Sequence, residues 1–261
     1  MLRIIVCIKQ VPDTNEVRLD PETGTLIRDG VPSIINPDDK AGLEAALRIK
    51  DEHGAHVVVM TMGPPQADLA LREALAMGAD EGVLITDRAF AGADTWATSS
   101  TLASAVRHYD YDLIITGRQA IDGDTAQVGP QLAESLGIVN ASYAEEIKIE
   151  GDYIIVKRQY EDRYHIIKAK MPCLITALSE LNEPRYMTPG GIFKAYREME
   201  IKTLVRNDLD VAEENIGLKG SPTRVVKSFT KPVKGQGEVV TLEDQESATW
   251  LVDRLKEKFI L

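Results

Sequence analysis

The sequence predicts an α/β protein: a mostly parallel sheet with helices on both faces, an antiparallel meander, and a C-terminal arm that ends in a helix. Three observations carry this expectation. Apolar strand-like runs alternate with amphipathic helical stretches through the first half, the signature of parallel strands joined by helical crossovers. After Gly137 the pattern changes to short strand-like runs separated by charged turns, which suits antiparallel hairpins. With 261 residues and 44% hydrophobic content, the chain can bury one full core and a smaller annex.

Arg3 to Ile8 is the first expected strand. A long loop follows, and Asp20-Pro21-Glu22-Thr23-Gly24 reads as the turn of a β-hairpin insertion. Asn36-Pro37-Asp38-Asp39 starts a helix that reaches about Glu52, with Leu43, Ala46 and Leu47 at helical spacing and Lys50 at its solvent end. His56 to Met60 is the second strand. Gly63-Pro64-Pro65 opens the next helix, whose core face is expected to carry Leu69, Leu71, Leu75 and Ala76. Gly82 to Ile85 makes a third strand, Asp94 to His108 a helix, and Asp112 to Thr116 a fourth strand. Ile147 to Ile149, Tyr153 to Val156 and Tyr164 to Ala169 form the meander, and Leu174 to Leu178 returns to the sheet. These elements make a first domain of residues 1–181. From Asn182 to about Thr241, Pro, Gly and charged residues interrupt every run, so a second region, 182–261, reads as an arm that packs on a partner. It closes with a helix from Leu242 to Phe259, where Ala248, Leu251, Val252, Leu255 and Phe259 line one stripe.

The net charge of -11 disfavours a nucleic-acid partner, because an acidic surface gains nothing from counterion release. No apolar run approaches the length of a membrane span, and the N-terminal run is too short for a secretory signal, so a cytoplasmic location is expected. Cys7 and Cys173 both fall in strand-like runs and read as small buried hydrophobes. The four histidines are scattered, and neither a metal cluster nor a hydrolytic triad is expected.

The most informative stretch is Gly117 to Pro130, which follows the apolar Leu113-Ile114-Ile115 and opens onto an amphipathic run. A polar, glycine-containing turn between strand and helix aims backbone N–H groups past the sheet edge, where they suit a phosphate. Thr125 and Gln127 add side-chain donors, and Gly117, Gly123 and Gly129 would let main chain approach a ligand closely. Asp124 or Thr125 could equally serve only to cap the helix. Asp122 and Asp124 would repel a phosphate unless they cap turns, face solvent or bond sugar hydroxyls. Neither a Walker A pattern nor a G-x-G-x-x-G fingerprint occurs.

Several stretches, in order and spacing, resemble the β subunit of electron transfer flavoproteins. They are Val6-Cys7-Ile8-Lys9-Gln10-Val11-Pro12-Asp13, Ile35-Asn36-Pro37, Met62-Gly63-Pro64, Ala74 to Asp80, Gly117 to Pro130, and Leu181-Asn182-Glu183-Pro184-Arg185-Tyr186. The resemblance spans nearly the whole chain. It implies a nucleotide-binding α/β domain paired with an α subunit that carries the electron-transferring FAD, and a C-terminal arm that embraces that subunit. Carried over by motif, the β chain's own nucleotide site takes Cys7, Asn36, Pro37, Asp38, Asp39, Met62, Asp122, Gly123, Asp124, Thr125, Ala126, Gln127, Val128, Gly129 and Pro130.

Family members differ in the occupant of that site. Many hold a structural AMP; those that bifurcate electrons hold a second FAD and oxidise NADH on it. The Asp122 to Pro130 version here resembles the bifurcating branch. That resemblance implies electron delivery to the α-subunit FAD and an acyl-CoA dehydrogenase on one side, and to ferredoxin or flavodoxin on the other. No side chain is expected to act as a general acid or base. The Asn182 to Lys194 stretch resembles the family's dehydrogenase-recognition loop, with Pro189, Gly190 and Gly191 replacing its usual leucine region. The expected partner contacts are therefore Tyr186, Pro189, Ile192, Phe193 and Lys194, against the alternative of a solvated loop. Two rival functions remain: a non-bifurcating carrier with AMP in the β site, and a nucleotide-binding sensor or scaffold that would be stable as a lone chain.

Overall fold

The computed structural model describes residues 1–13, 32–224, 235 and 237–260, which fall into two compact units, Met1–Val226 and Lys227–Leu261. In chain order the first unit carries β1 (Leu2–Cys7), β2 (Gln10–Pro12), β3 (Ser33–Ile35), α1 (Pro37–His53), β4 (Ala55–Met62), α2 (Asp68–Met77), β5 (Glu81–Ile85), α3 (Thr95–Val106) and β6 (Leu113–Gly117). It continues with α4 (Val128–Leu136), β7 (Val139–Glu150), β8 (Tyr153–Gln159), β9 (Tyr164–Lys170), β10 (Cys173–Ala177), α5 (Pro189–Arg197) and β11 (Ile201–Leu204). The main sheet has nine strands in the order β11-β5-β4-β1-β6-β10-β7-β8-β9, parallel from β11 to β7 and antiparallel thereafter.

Every residue of β6 and β10 is buried, which is why those strands read as unbroken apolar runs: helices cover both faces. Alternation along β1 divides the core. Ile4 and Val6 belong to the same buried cluster as Leu43 and Leu47 of α1 and Leu71 and Leu75 of α2. Ile5 and Cys7 meet Leu102 of α3 and Leu132 of α4 on the opposite face. The Asp94 carboxylate caps α3 by accepting from the Ala97 N–H at 3.0 Å.

Some expectations shift in detail. Leu69 is exposed, because the buried face of α2 is Ala70, Leu71, Ala74 and Leu75, and a residue two positions before Leu71 points the other way. Lys50 is not at a solvent end: its ammonium donates to the Gly78 carbonyl at 2.9 Å and to Asp80 at 2.7 Å. β2 and β3 form the base of an antiparallel ribbon where the hairpin insertion was expected, and its turn, Asp20 to Gly24, lies outside the described residues. The meander continues the main sheet. The start of β7 pairs in parallel with β10, so β8 and β9 extend the same sheet.

The segment read as the start of an arm folds onto the sheet. α5 lies against α2, β11 adds a parallel edge beside β5, and the first unit runs on to Val226 rather than stopping near residue 181. The anchor is the Arg72 guanidinium on α2, which donates to the carbonyls of Ala195 and Met199 at the end of α5. That long-range contact has no local sequence signal.

In the second unit, α6 (Asp244–Glu257) starts two residues later than expected and has no buried residue; Leu251 and Val252 of its apolar stripe are exposed. Among the described residues no helix is long and apolar enough to cross a membrane.

Candidate functional site

The crossovers from β1 through α1 to β4 and through α2 to β5 build the sheet in one direction, and β6 then takes the free side of β1. The carboxyl ends of β1 and β6 therefore flank a topological switch point, where open α/β sheets place their ligands. The start of α1 stitches the two ends together. Asp39 Oδ2 accepts from the Lys9 N–H at 2.7 Å and Oδ1 from the Gly117 N–H at 2.9 Å. Burial pushes the Asp39 carboxyl up to about 7, against the pull of the N–H bonds and of Asn36. Asn36 grips the loop itself, donating from Nδ2 to Gln119 O at 2.8 Å and accepting at Oδ1 from the Ile121 N–H at 3.0 Å. Asp38 lies 3.5 Å from Arg118 Nε; burial raises its carboxyl and Arg118 opposes the rise.

Beyond this clasp, the loop resolves its own charge. Lys9 Nζ donates to Asp122 Oδ1 at 2.6 Å, and the Asp122 side chain is only 8% exposed, so the lysine offsets this carboxylate's charge. Asp124 accepts from Gln119 Nε2 at 2.6 Å. Asp124 and Ala126 adopt φ of 55° and 54°, a left-handed backbone that bends the chain into α4. Among the described residues, the N–H groups of Thr125, Ala126, Gln127, Val128 and Gly129 take no partner. This run of donors precedes and enters the first turn of α4, where the helix dipole favours negative charge.

The three loop glycines do different work. A side chain on Gly117 would overlap Asp39, and one on Gly129 would meet Thr116 and Thr176 at 2.6 and 2.7 Å, so both serve close packing of protein on protein. Gly123 faces open space. Cys7 turns its side chain into the core at the end of β1, where burial pushes the thiol up to about 12 and leaves it no thiolate character. Cys173 is buried too, its thiol raised to about 11. Pro37 is exposed in the first turn of α1, Met62 closes β4, partly buried, and Pro130 follows Gly129 in α4.

Sequence reasoning passed over the first turn of α3. Thr95 Oγ1 lies 3.0 Å from Gln127 Oε1, which brings α3 to the same loop, and Trp96 beside it is 42% exposed. The signal was available, since the loop after β5 also leaves a strand at its carboxyl end and meets a capped helix. Nothing local to Lys9 in the sequence signals a role for it. Only the fold shows that it spans to Asp122.

Of the expected partner contacts, Tyr186 is 94% exposed and Phe193 61%. Pro189, Ile192 and Lys194 are exposed as well, all on α5. Thr188 caps that helix by accepting from the Gly191 N–H at 3.0 Å. Tyr196 and Met187 extend the apolar surface.

A family model described as the electron transfer flavoprotein domain matches residues 23–209, more than half of the chain. The chain belongs to the electron transfer flavoprotein family, as a β subunit. It is 58% identical over 257 residues to the electron transfer flavoprotein subunit beta of Clostridium acetobutylicum, covering 98% of this chain and 99% of that one. It is 57% identical, across the full length of both, to the caffeyl-CoA reductase-Etf complex subunit CarD of Acetobacterium woodii. It is 48% identical, again across both full lengths, to the acryloyl-CoA reductase electron transfer subunit gamma of Anaerotignum propionicum. As an electron transfer flavoprotein β subunit it serves electron transfer and pairs with an α subunit.

Proposed function

We propose that this β subunit binds FAD in the crevice between β1 and β6 and takes part in electron bifurcation. In this reading NADH is the donor; the α-subunit FAD with an acyl-CoA dehydrogenase, and ferredoxin or flavodoxin, are the two acceptors. The observation that carries it is the run of N–H groups from Thr125 to Gly129, without a partner among the described residues, that leads into α4 beside the switch point. A run of five such donors leading into a helix N-terminus suits a diphosphate. The fit is supported by Asp122, whose charge Lys9 already neutralises, and by Gly123, which has open space around it. A bound flavin supplies hydride acceptance and one-electron transfer. The chain supplies position: the Asp39 and Asn36 clasps fix the loop, and the α4 dipole offsets the phosphate charge. The names of the Acetobacterium and Anaerotignum relatives, which place those proteins with acyl-CoA reductases, support the dehydrogenase branch.

We assign the exposed surface of Tyr186, Pro189, Ile192, Phe193 and Lys194 to the dehydrogenase, and residues 227–261 to the α subunit. Nucleotide extraction and mass analysis of the purified two-subunit complex test the cofactor. Two FAD per heterodimer are expected, with loss of flavin absorbance on anaerobic addition of NADH. One FAD and one AMP would make the protein a simple carrier and end the bifurcation reading. A β chain that purifies alone, folded and nucleotide-loaded, would favour a sensor or scaffold.

A further inference from the structure

The segment before α5 is strapped along one face of α1. Asn182 Nδ2 donates to the Ala41 carbonyl at 3.3 Å, and Arg48 Nη2 reaches the Glu183 carbonyl at 3.4 Å. The centre of the strap is Glu44, whose side chain is only 4% exposed. Arg185 donates to it three times: Nε to Oε2 at 2.8 Å, Nη2 to Oε1 at 3.1 Å, and its backbone N–H to Oε2 at 3.1 Å. Arg48 Nε adds a fourth bond at 3.0 Å, and Arg185 Nη2 also reaches Asp51 at 2.8 Å. Ala41, Glu44, Arg48 and Asp51 recur at helical spacing, on a stripe about 100° around the helix from Leu43 and Leu47, which face the sheet.

This arrangement assigns Arg185 inward. It follows Glu183 and Pro184 and directly precedes Tyr186, the most exposed aromatic of the segment at 94%. A bidentate arginine fork fixes direction as well as distance, because both partners are planar. We propose that Glu44 is a positioning residue for partner docking: by gripping the Arg185 side chain and backbone, it fixes the direction in which Tyr186, Met187 and the outer face of α5 are presented. The proposal rests on the reading of that surface as the dehydrogenase contact. Glu44, only 4% exposed, offers almost no surface of its own to a partner. Its effect is on the encounter with the acyl-CoA dehydrogenase, not on the flavin content.

Two measurements on the intact two-subunit complex test this. The first is amide hydrogen exchange of residues 183–188, which is expected to accelerate about ten-fold in Glu44→Gln while residues 117–124 keep their wild-type rate. The second is electron transfer to a purified acyl-CoA dehydrogenase that accepts electrons from the wild-type complex. There the KM for the dehydrogenase is expected to rise about five-fold in Glu44→Gln, with kcat changed less than about two-fold. Arg185→Lys keeps the charge and loses the fork, so it serves if Glu44→Gln does not fold, with a rise of about two-fold expected. Phe193→Ala tests the docking surface directly. If Phe193→Ala raises KM while both clasp variants leave exchange and KM at wild-type values, the proposal is overturned and the docking surface stands. If exchange accelerates but no variant, Phe193→Ala included, shifts KM, the clasp orders the segment for something other than this partner. In that case the proposal falls with the docking reading.

Discussion

Asp39 and Glu44 are carboxylates five residues apart on α1, both nearly buried, and their surroundings push them in opposite directions. Asp39 holds two backbone N–H groups and, among the described residues, no cation, so desolvation dominates and its carboxyl rises to about 7. Burial would also raise Glu44, but hydrogen bonds from the Arg185 side chain and backbone and from Arg48 outweigh it and hold that carboxyl below its ordinary value. The contrast teaches how one helix serves two surfaces. At the proposed nucleotide end, a clasp made to backbone N–H groups ties the ends of β1 and β6 together. At the proposed partner end, an ion pair with the buried Glu44 fixes a segment whose own backbone has no sheet or helix to hold it.

The sharpest way to break the comparison is at the nucleotide end. In Gly117→Ala the new methyl would overlap Asp39 Oδ1 and lie 2.7 Å from the Asp39 N–H nitrogen, so either the clasp or the strand end must move. A loss of about 3 kcal/mol is expected, read as a lowered Tm together with reduced nucleotide retention. A variant with wild-type Tm and full nucleotide content would show that the clasp tolerates displacement.

At the partner end, Arg185→Met leaves Glu44 buried with Arg48 alone, and a loss of about 2 kcal/mol is expected at neutral pH. The sign with pH follows from the lowered carboxyl of Glu44. Its contribution is fully present above the ordinary value of 4.5 and is lost as pH falls through the lower folded value. The gap in Tm between wild type and Arg185→Met should therefore narrow on acidification below about pH 4. A gap that stays constant into acid would mean the arginine acts by packing alone.

The smallest effect belongs to Asp39→Asn, which keeps one acceptor and loses the other, at a cost of about 1 kcal/mol. Here the pH sign is the reverse. Because the folded value near 7 exceeds the ordinary 3.8, the wild type binds the proton more tightly when folded and loses stability as pH rises between those values. Asp39→Asn lacks that loss, so its deficit against wild type should shrink from pH 4 to pH 8. Chemical denaturation across that range measures it, and a deficit that grows with pH would contradict the buried, uncompensated carboxylate.

Much of the frame was legible in the residues themselves. Strands β4, β5, β6 and β10 were visible because strands covered on both faces need near-continuous apolar residues, and α1 because Pro37, Asp38 and Asp39 mark a helix start. α5 and β11 were not. α5 begins Pro189-Gly190-Gly191, a poor helix former by propensity, and β11 has four residues, too few to show a period. Both form because Arg72 and the β5 edge, far away along the chain, supply partners. The candidate site divides in the same way. The loop from Asp122 to Pro130 was visible as chemistry, whereas Lys9 and Thr95 gained meaning only when β1 and α3 came to stand beside it.

What the sequence determined alone was the set of local preferences: which stretches are apolar with period two or 3.6, where helices start, and where a polar, glycine-containing turn leaves a strand. Tertiary structure decided which carboxylates are silenced by a lysine, which clasp backbone, and which hold an arginine. The physical reason is that a charge's role depends on its desolvation and its neighbours within a few ångströms, and those neighbours lie about 30 to 140 residues away along the chain.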